Sequence, residues 1–465
     1  MSNVIVFMSD EHNPRYSSPY GHEFVDTPNM QWLADHGTLF EQAYCPSPLC
    51  VPSRSAFLTG KRVHAVKAYG NNRGNIPPET HGLGAVLGDE GVHSVFIGKV
   101  HAYRPVAELG FAETIETHDL AWGFDKATRR RPLAVRQGAE RRLDHYGIHE
   151  RPWKNDVVYM DAAVEWLRTR APEINRPWVL YVNLVKPHFP HFCTDELWDK
   201  YRDHGDLPAH GVEAATAQHP YAADLRRHFA LEHVEEHQVR GLRRGYYACV
   251  SFIDGQLGRL RSAVADAGLA STTNLVYTSD HGEMLGKFGL WWKCNLLEDA
   301  ARIPMIAAGP DFEAGVRVTV PVDLHDLQAS VFSLTGAQQP EGWLGVPLAA
   351  STIENGNRFV FSEYHGHGTR GSSFMVRRGD WKLIHNVEAP HQLFDLGNDP
   401  EELENQYEAD PAKAEELSVC LAGICDPAAA DREAEAHWGR QRRSHEQEEA
   451  GTDATDASVQ APGSA

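Results

Sequence analysis

Acids, histidines and lysines recur in this chain just past short apolar runs. Asp10 and Glu11 follow Val4–Met8, Lys99 and His101 follow Ser94–Ile97, His188 follows the run that opens at Trp178, and Asp280 with His281 follows Asn274–Thr278. Asp10, Asp280 and His281 combine carboxylate oxygens with one imidazole, a donor set for a single divalent cation. Oxygen-rich sets suit Ca²⁺, Mg²⁺ or Mn²⁺, and the imidazole moves the balance towards Mn²⁺; Ca²⁺ or Mn²⁺ is expected ahead of Mg²⁺, with zinc disfavoured. Glu11 is either a further ligand or the partner of one, and the sequence leaves both open. Arg54, Lys99, Lys293, His101 and His188 add positive charge and proton donors, as a bound tetrahedral oxyanion requires. Any one of these residues alone reads as a cap or a solvated side chain. Four strand tips ending in the same kinds of residue read as a site, because ligands of open α/β sheets bind beyond the carboxyl ends of the strands.

Such a site needs a buried parallel sheet beneath it. The runs Val4–Met8, Ser94–Ile97, Trp178–Leu184 and Asn274–Thr278 are almost unbroken apolar stretches, as expected of central strands covered on both faces. Helical periodicity falls between them, at Pro28–His36, Thr80–Glu90, Val157–Arg168, Glu236–Ala267 and Asp323–Leu334, which predicts βαβ units. Pro28 suits a first helical turn and Gly37 a stop. Beyond residue 354 the texture changes. Arg358–Phe361, Phe374–Arg378, Trp381–His385 and Gln392–Asp395 are short alternating segments separated by Gly-Asp and Pro turns, predicting a small antiparallel sheet in a C-terminal subdomain over 355–443. From Ser444 to Ala465 there are five acidic residues, no basic ones and little to bury, so a disordered acidic tail is expected over 444–465.

The most specific run is Ser47-Pro48-Leu49-Cys50-Val51-Pro52-Ser53-Arg54-Ser55-Ala56-Phe57-Leu58-Thr59-Gly60. It closely resembles the C-x-P-x-R signature of the type I sulfatases of the alkaline-phosphatase superfamily. Gly98-Lys99-Val100-His101, Pro187-His188-Phe189-Pro190, Ser279-Asp280-His281-Gly282-Glu283 and Leu290-Trp291-Trp292-Lys293 resemble further motifs of that family in the same chain order. The likeness is closest to choline-sulfatase-type enzymes, through Gly289–Lys293, Ala301–Pro304, Ser362–Tyr364 and Arg377–Lys382. The resemblance implies an α/β alkaline-phosphatase-like sandwich over residues 1–354, with a large mixed, mostly parallel sheet flanked by helices. It also implies oxidation of Cys50 to formylglycine by a maturation enzyme. A hydrated aldehyde offers one hydroxyl to attack sulfur and a second whose collapse expels sulfate.

On that resemblance the substrate is a small sulfated organic molecule. Asp10, Glu11, Cys50, Asp280 and His281 face the metal, Arg54, Lys99 and Asn71 hold the sulfuryl oxygens, His188 and Lys293 protonate the departing alkoxide, and His101 takes the last proton. Trp122 and Glu363 are candidates for the substrate pocket, including a cation-binding one. The chain carries Asp10-Glu11 and Asp280-His281 where many sulfatases have paired aspartates and Asp-Asn. Asp-His is also the form of phosphonate monoester hydrolases, so a phosphonate monoester or phosphodiester hydrolase with the same residues is the alternative. A non-catalytic anion binder with an intact Cys50 thiol is a further one.

Composition bounds the partners. A chain of 465 residues with net charge −20 repels nucleic acid and anionic membrane surfaces at long range. No stretch approaches the roughly 20 apolar residues of a membrane helix, and the N-terminus lacks a basic leader, so a cytoplasmic enzyme is expected. Seven scattered cysteines form no disulfide framework. Substrate choice is expected in the polar loops His118–Tyr146 and Phe192–His233. A bulky C-terminal part and many tryptophans suggest a homo-oligomer.

Overall fold

The computed structural model describes residues 1–72, 80–118, 126–349 and 358–459. Eight strands form the main sheet, here numbered β1 (Asn3–Asp10), β2 (Gly37–Phe40), β3 (His93–Lys99), β4 (Glu113–His118), β5 (Trp178–Pro187), β6 (Thr273–Ser279), β7 (Met305–Ala308) and β8 (Val316–Val318). Their spatial order is β8-β2-β7-β6-β1-β5-β3-β4. The sheet is mixed and mostly parallel: only β7 runs against its two neighbours, β2 and β6. All four runs expected as central strands are central, with β1 between β5 and β6.

Alternation along β1 explains why the run is apolar throughout. Ile5 and Phe7 belong to one core, beneath helices that include Lys154–Thr169 and Glu236–Asp266, while Val4, Val6 and Met8 belong to the other, beneath Leu324–Thr335. The register sets the site. Ser9 pairs with Ser279, so Asp10 and Asp280 emerge side by side, and Gly98 pairs with Asn183 on the neighbouring tip. Gly98 has φ +93°, and a Cβ there would lie 2.1 Å from the Asn183 carbonyl oxygen. Only glycine lets β3 approach β5 this closely as it turns to present Lys99.

The expected helices form within a few residues of their predicted ends, with one instructive difference. Gly37 is not a helix stop: the first helix is Pro28–Asp35 with His36 as its C-cap, and Gly37 opens β2 against Ala307 and Ala308 of β7. The short strands β2, β7 and β8 lack the long apolar runs of the centre, and antiparallel β7 breaks the βαβ alternation.

The C-terminal sheet is antiparallel, with strands β9 (Phe359–Tyr364), β10 (Ser373–Arg378), β11 (Trp381–Asn386) and β12 (Gln392–Asp395) in that order. One face carries Phe361, Phe374, Val376, Leu383 and Leu393 against the helix Pro411–Ala422. The other face, with Val360, Met375, Ile384 and Phe394, joins the core that holds Ile5 and Phe7. The boundary expected near residue 355 falls outside the described residues. The last helix, Pro427–Val459, runs through most of the stretch expected to be disordered. Its alanines, glutamates and arginines favour helix by intrinsic propensity. No described tryptophan is exposed: the rings fill the cores or lie half-buried. Among the described residues no helix is long and apolar enough to cross a membrane.

Candidate active site

Cys50 is the first residue of a fully buried helix, Cys50–Thr59. Its N-terminus points the helix dipole at residue 50, which favours negative charge there. The helix start is pinned from two sides. Val51 N–H donates to Asn71 Oδ1 at 3.0 Å, and Ser53 Oγ–H donates to the Asp280 carbonyl at 2.6 Å. One turn on, Arg54 donates from Nε to Asp280 Oδ2 at 2.7 Å and from Nη1 to Asn183 Oδ1 at 3.0 Å, with Nη2 3.3 Å from Asp10 Oδ2. The C-x-P-x-R spacing thus puts residue 50 at the strand tips and ties the arginine to both aspartates.

Asp10, Cys50, Asp280 and His281 are all buried and bring one donor atom each within 4.8 Å of the others. Cys50 Sγ lies 3.2 Å from His281 Nε2 and 3.9 Å from Asp10 Oδ1. His281 Nδ1–H donates to the Gly282 carbonyl at 3.1 Å, which turns Nε2 inward as a ligand requires. Burial would lower the His281 imidazole, but Asp280 beside it raises it to about 9. Burial and Cys50 oppose ionisation of Asp10, yet Lys99, His188 and Arg54 hold it well below the usual carboxylate range. Two buried carboxylates and an imidazole on one thiol-bearing point fit a divalent cation, which would displace the His281 proton.

Glu11 stands beside this group rather than within it. It is fully buried, with φ 67°, and its Oε2 lies 3.2 Å from Lys293 Nζ and 3.4 Å from His188 Nε2. Neither of its carboxylate oxygens has a hydrogen bond of good geometry among the described residues. His188 Nδ1–H donates to the Phe189 carbonyl at 2.6 Å, so Nε2 is the nitrogen left for Glu11 and the cleft. Lys99 Nζ pairs with Asp10 and lies 3.7 Å from Cys50 Sγ. His101, with φ 40°, lies against Cys50, and burial and Lys99 keep its imidazole below the ordinary histidine value, hence neutral. Burial would raise the Cys50 thiol, but Lys293, Lys99 and His281 hold it well below its usual range. Left-handed backbone at Glu11, His101, Trp292 and Cys294 clusters here, as conformational strain does at functional sites.

Above these groups opens a cleft of about 290 Å³ lined by Asn71, Lys99, His101, His188 and Lys293 among others. Of the sequence candidates, Asp10, Glu11, Cys50, Arg54, Asn71, Lys99, His101, His188, Asp280, His281 and Lys293 therefore come together. Glu363 does not. Its carboxylate accepts from the His64 backbone N–H at 3.1 Å and pairs with His64 Nδ1 and His365 Nε2, both at 2.8 Å, beside a different cavity. A buried carboxylate with three partners is satisfied in place and has no role in the cleft. Trp122 lies outside the described residues.

The sequence did not single out Arg136, Arg142, Phe229 or His367, which also line the cleft. The two arginines lie in the loop His118–Tyr146 expected to set specificity, but nothing local separates them from its other arginines.

A doubly covered, mostly parallel α/β sheet whose strand tips gather a buried helix start and a group of residues that could hold a metal ion has the architecture of the alkaline-phosphatase-like class. The model of the sulfatase family matches residues 2–337, and that of the N-sulphoglucosamine sulphohydrolase C-terminal region matches residues 286–421. The chain belongs to the sulfatase family and is a sulfuric ester hydrolase. It is 28% identical to arylsulfatase K of Danio rerio over 91% of this chain and 84% of that one. It is 29% identical to the choline-sulfatase of Rhizobium meliloti over 87% and 82%. In fold it resembles a protein solved with its substrate D-glucosamine-2-N,6-O-disulfate (TM-score 0.73, 20% identity, 91% of this chain and 97% of that one). It also resembles a phosphonate monoester hydrolase from Silicibacter pomeroyi (TM-score 0.72, 19% identity, 91% and 94%).

Proposed function

We propose that Cys50 is converted to formylglycine by a maturation enzyme and that its hydrate is the nucleophile for sulfate monoester hydrolysis, with Cys50 Sγ marking the place of a hydrate hydroxyl. The observation that carries this is the position of Sγ, 3.2 Å from His281 Nε2 inside the buried Asp10–Asp280 group. Asp10, Asp280 and His281 would hold a divalent cation, Ca²⁺ or Mn²⁺ ahead of Mg²⁺. A cation there supplies Lewis acidity that makes an oxygen on residue 50 nucleophilic at neutral pH.

The chain's own residues do the rest. Arg54 and Lys99, with Asn71 at the helix start, neutralise the sulfuryl oxygens. His188 and Lys293, both beside Glu11, donate the proton the departing alkoxide needs. Glu11 is assigned to orienting and charging these two donors rather than to the cation. Neutral His101 accepts the proton of the second hydroxyl so that sulfate departs. The substrate is a small sulfated organic molecule, and a cytoplasmic location accords with seven cysteines that are all free.

The test is mass analysis of the Cys50 peptide from a host with maturation machinery, run beside aryl sulfate kinetics. Loss of the sulfur atom together with turnover is expected. Full turnover by protein that retains the thiol would refute the nucleophile, and a kcat/KM more than about tenfold higher for phenyl phosphonate ester than for aryl sulfate would favour the phosphonate reading. Cys50→Ala should abolish turnover while calorimetry still detects Mn²⁺ or Ca²⁺ binding.

A further inference from the structure

We propose that Trp438, on the last helix, is a positioning residue for the cleft: its ring is the stop against which Gly70 closes, and that contact sets Asn71 where it pins the start of the Cys50 helix and meets a sulfuryl oxygen. The inference rests on sulfate ester hydrolysis at residue 50 and extends it to a residue that touches no reacting atom.

Residues 67–72 run beside the helix Pro427–Val459 and meet it at successive points. Lys67 Nζ pairs with Glu433 at 2.6 Å, the Tyr69 ring meets the His437 ring edge-on at 5.2 Å, Gly70 abuts Trp438, and Asn72 Nδ2–H donates to Gln441. Positions 433, 437 and 441 lie four residues apart, so one helix face carries these contacts and sets the path of the segment. Trp438 fixes the closest approach. Its ring is 1% exposed and packs in one cluster with Ala56, Val63, Tyr69 and Ala434, and its Nε1–H donates to the His365 carbonyl at 3.2 Å. A Cβ on Gly70 would lie 2.4 Å from Trp438 Cη2 and 3.0 Å from Cζ2. Only glycine lets the chain come this near, and a close-packed ring tied at its nitrogen yields little.

The residue after Gly70 is the one with a place in the chemistry. Asn71 Oδ1 accepts the Val51 N–H at 3.0 Å, one residue past Cys50, and Asn71 lines the cleft. With Oδ1 spent on the helix, the Nδ2 amide is the group that Asn71 offers to a sulfuryl oxygen. Ala56 of the same cluster lies on the buried helix Cys50–Thr59 itself. The cluster around Trp438 thus joins the helix that carries residue 50 to the segment that carries Asn71 and fixes one against the other. The last helix also holds a second wall of the cleft. Arg130 and Arg131 both pair with Asp431, at 3.0 and 3.1 Å, at the base of the loop that brings Arg136 to the lining.

Kinetics of the matured full chain with 4-nitrophenyl sulfate test this, each variant being checked for folding by circular dichroism. Gly70→Ala should lower kcat/KM about tenfold or more, since displacing a positioned group by about 1 Å costs up to about 10²-fold. The loss should not multiply with that of Asn71→Ala, because both act through one amide. Combining Gly70→Ala with Trp438→Phe, whose shorter ring lacks the atoms a Cβ would strike, should recover most of the Gly70→Ala loss. Calorimetric binding of 4-nitrophenyl sulfate to Cys50→Ala protein should weaken when Gly70→Ala is added and recover with Trp438→Phe. Folded Gly70→Ala protein with the wild-type kcat/KM, losses that multiply with those of Asn71→Ala, or a combined variant no more active than Gly70→Ala alone would each overturn the positioning role while leaving the sulfatase reading intact. Should Gly70→Ala fail to fold, Asn72→Ala decides. Losing its bond to Gln441 should lower kcat/KM about threefold, the size of one neutral hydrogen bond, without multiplying with Asn71→Ala, and an unchanged rate would overturn the proposal. No turnover by matured wild type would instead refute the chemistry at residue 50, and the positioning role with it.

Discussion

His188 and Lys293, the two residues proposed to protonate the leaving oxygen, share one carboxylate, that of Glu11, at 3.4 and 3.2 Å and so face the same side of the cleft. Burial works against the Lys293 charge, but Cys50, Glu11 and Asp10 hold it firmly protonated. A donor to the leaving oxygen matters in proportion to that oxygen's basicity. His188→Ala and Lys293→Ala should therefore lower kcat by about 10²–10⁴-fold for alkyl sulfates and much less for 4-nitrophenyl sulfate. Rates across a series of leaving groups of graded pKa read this directly; equal losses along the series would make the two residues binding groups only. Asp10, Asp280 and Lys99 were legible because each follows its own apolar run. Glu363 was misread because its position beside a motif carries no information on which way the side chain is spent, and in the fold His64 and His365 take it.

The C-terminal sheet is tied to the catalytic part by a buried charge network. Lys382 on β11 donates to Glu298 Oε1 at 2.9 Å and to Glu402 Oε1 at 2.8 Å, and Arg377 on β10 lies 3.4 Å from Glu298 Oε2. Removing the lysine would leave carboxylates buried without their cation, so Lys382→Ala should cost about 3–5 kcal/mol in urea unfolding. A loss under about 1 kcal/mol would mean that water or rearrangement replaces it. Burial raises Glu298, but Lys382, Arg377 and Arg302 outweigh it and bring the carboxyl from 4.5 down to about 2. The folded state thus binds this proton less readily than the unfolded chain. Its contribution to stability is complete above about 4.5 and fades as pH falls towards 2. Glu298→Gln should flatten the acid limb of the stability–pH curve across that window, and an unchanged limb would remove Glu298 as its source. The strands of this sheet were readable from period-two alternation and turns. The network was not, since Arg377 and Lys382 look like surface charges until Glu298 arrives from the distant catalytic part.

For the whole molecule, the decisive fact is that one hydrophobic core reaches from Ile5 and Phe7 on β1 to Val360, Met375, Ile384 and Phe394 on the C-terminal sheet. A subdomain that shares its core with the main sheet cannot lose its packing alone. Calorimetry should therefore show one unfolding transition in which tryptophan fluorescence and residual activity fall together. A separate low-temperature transition that spares activity would make residues 355–443 an independent unit. The shared core also holds the C-terminal part against the main sheet, and His367 from that part reaches the lining of the cleft.

The sequence by itself determined the central strands, the chain order of the motifs, the identity of residue 50 and the acids and bases around it. Each of these is written in a short stretch, where apolar runs, periodicity and fixed spacing act over a few residues. Tertiary structure alone decided that Glu11 faces Lys293 and His188, that Glu363 turns away, and that Arg136 and Arg142 from one loop and His367 from a distant one join the cleft. Side-chain direction and the meeting of remote loops are set by sheet register and core packing, long-range contacts that leave no local trace in the chain.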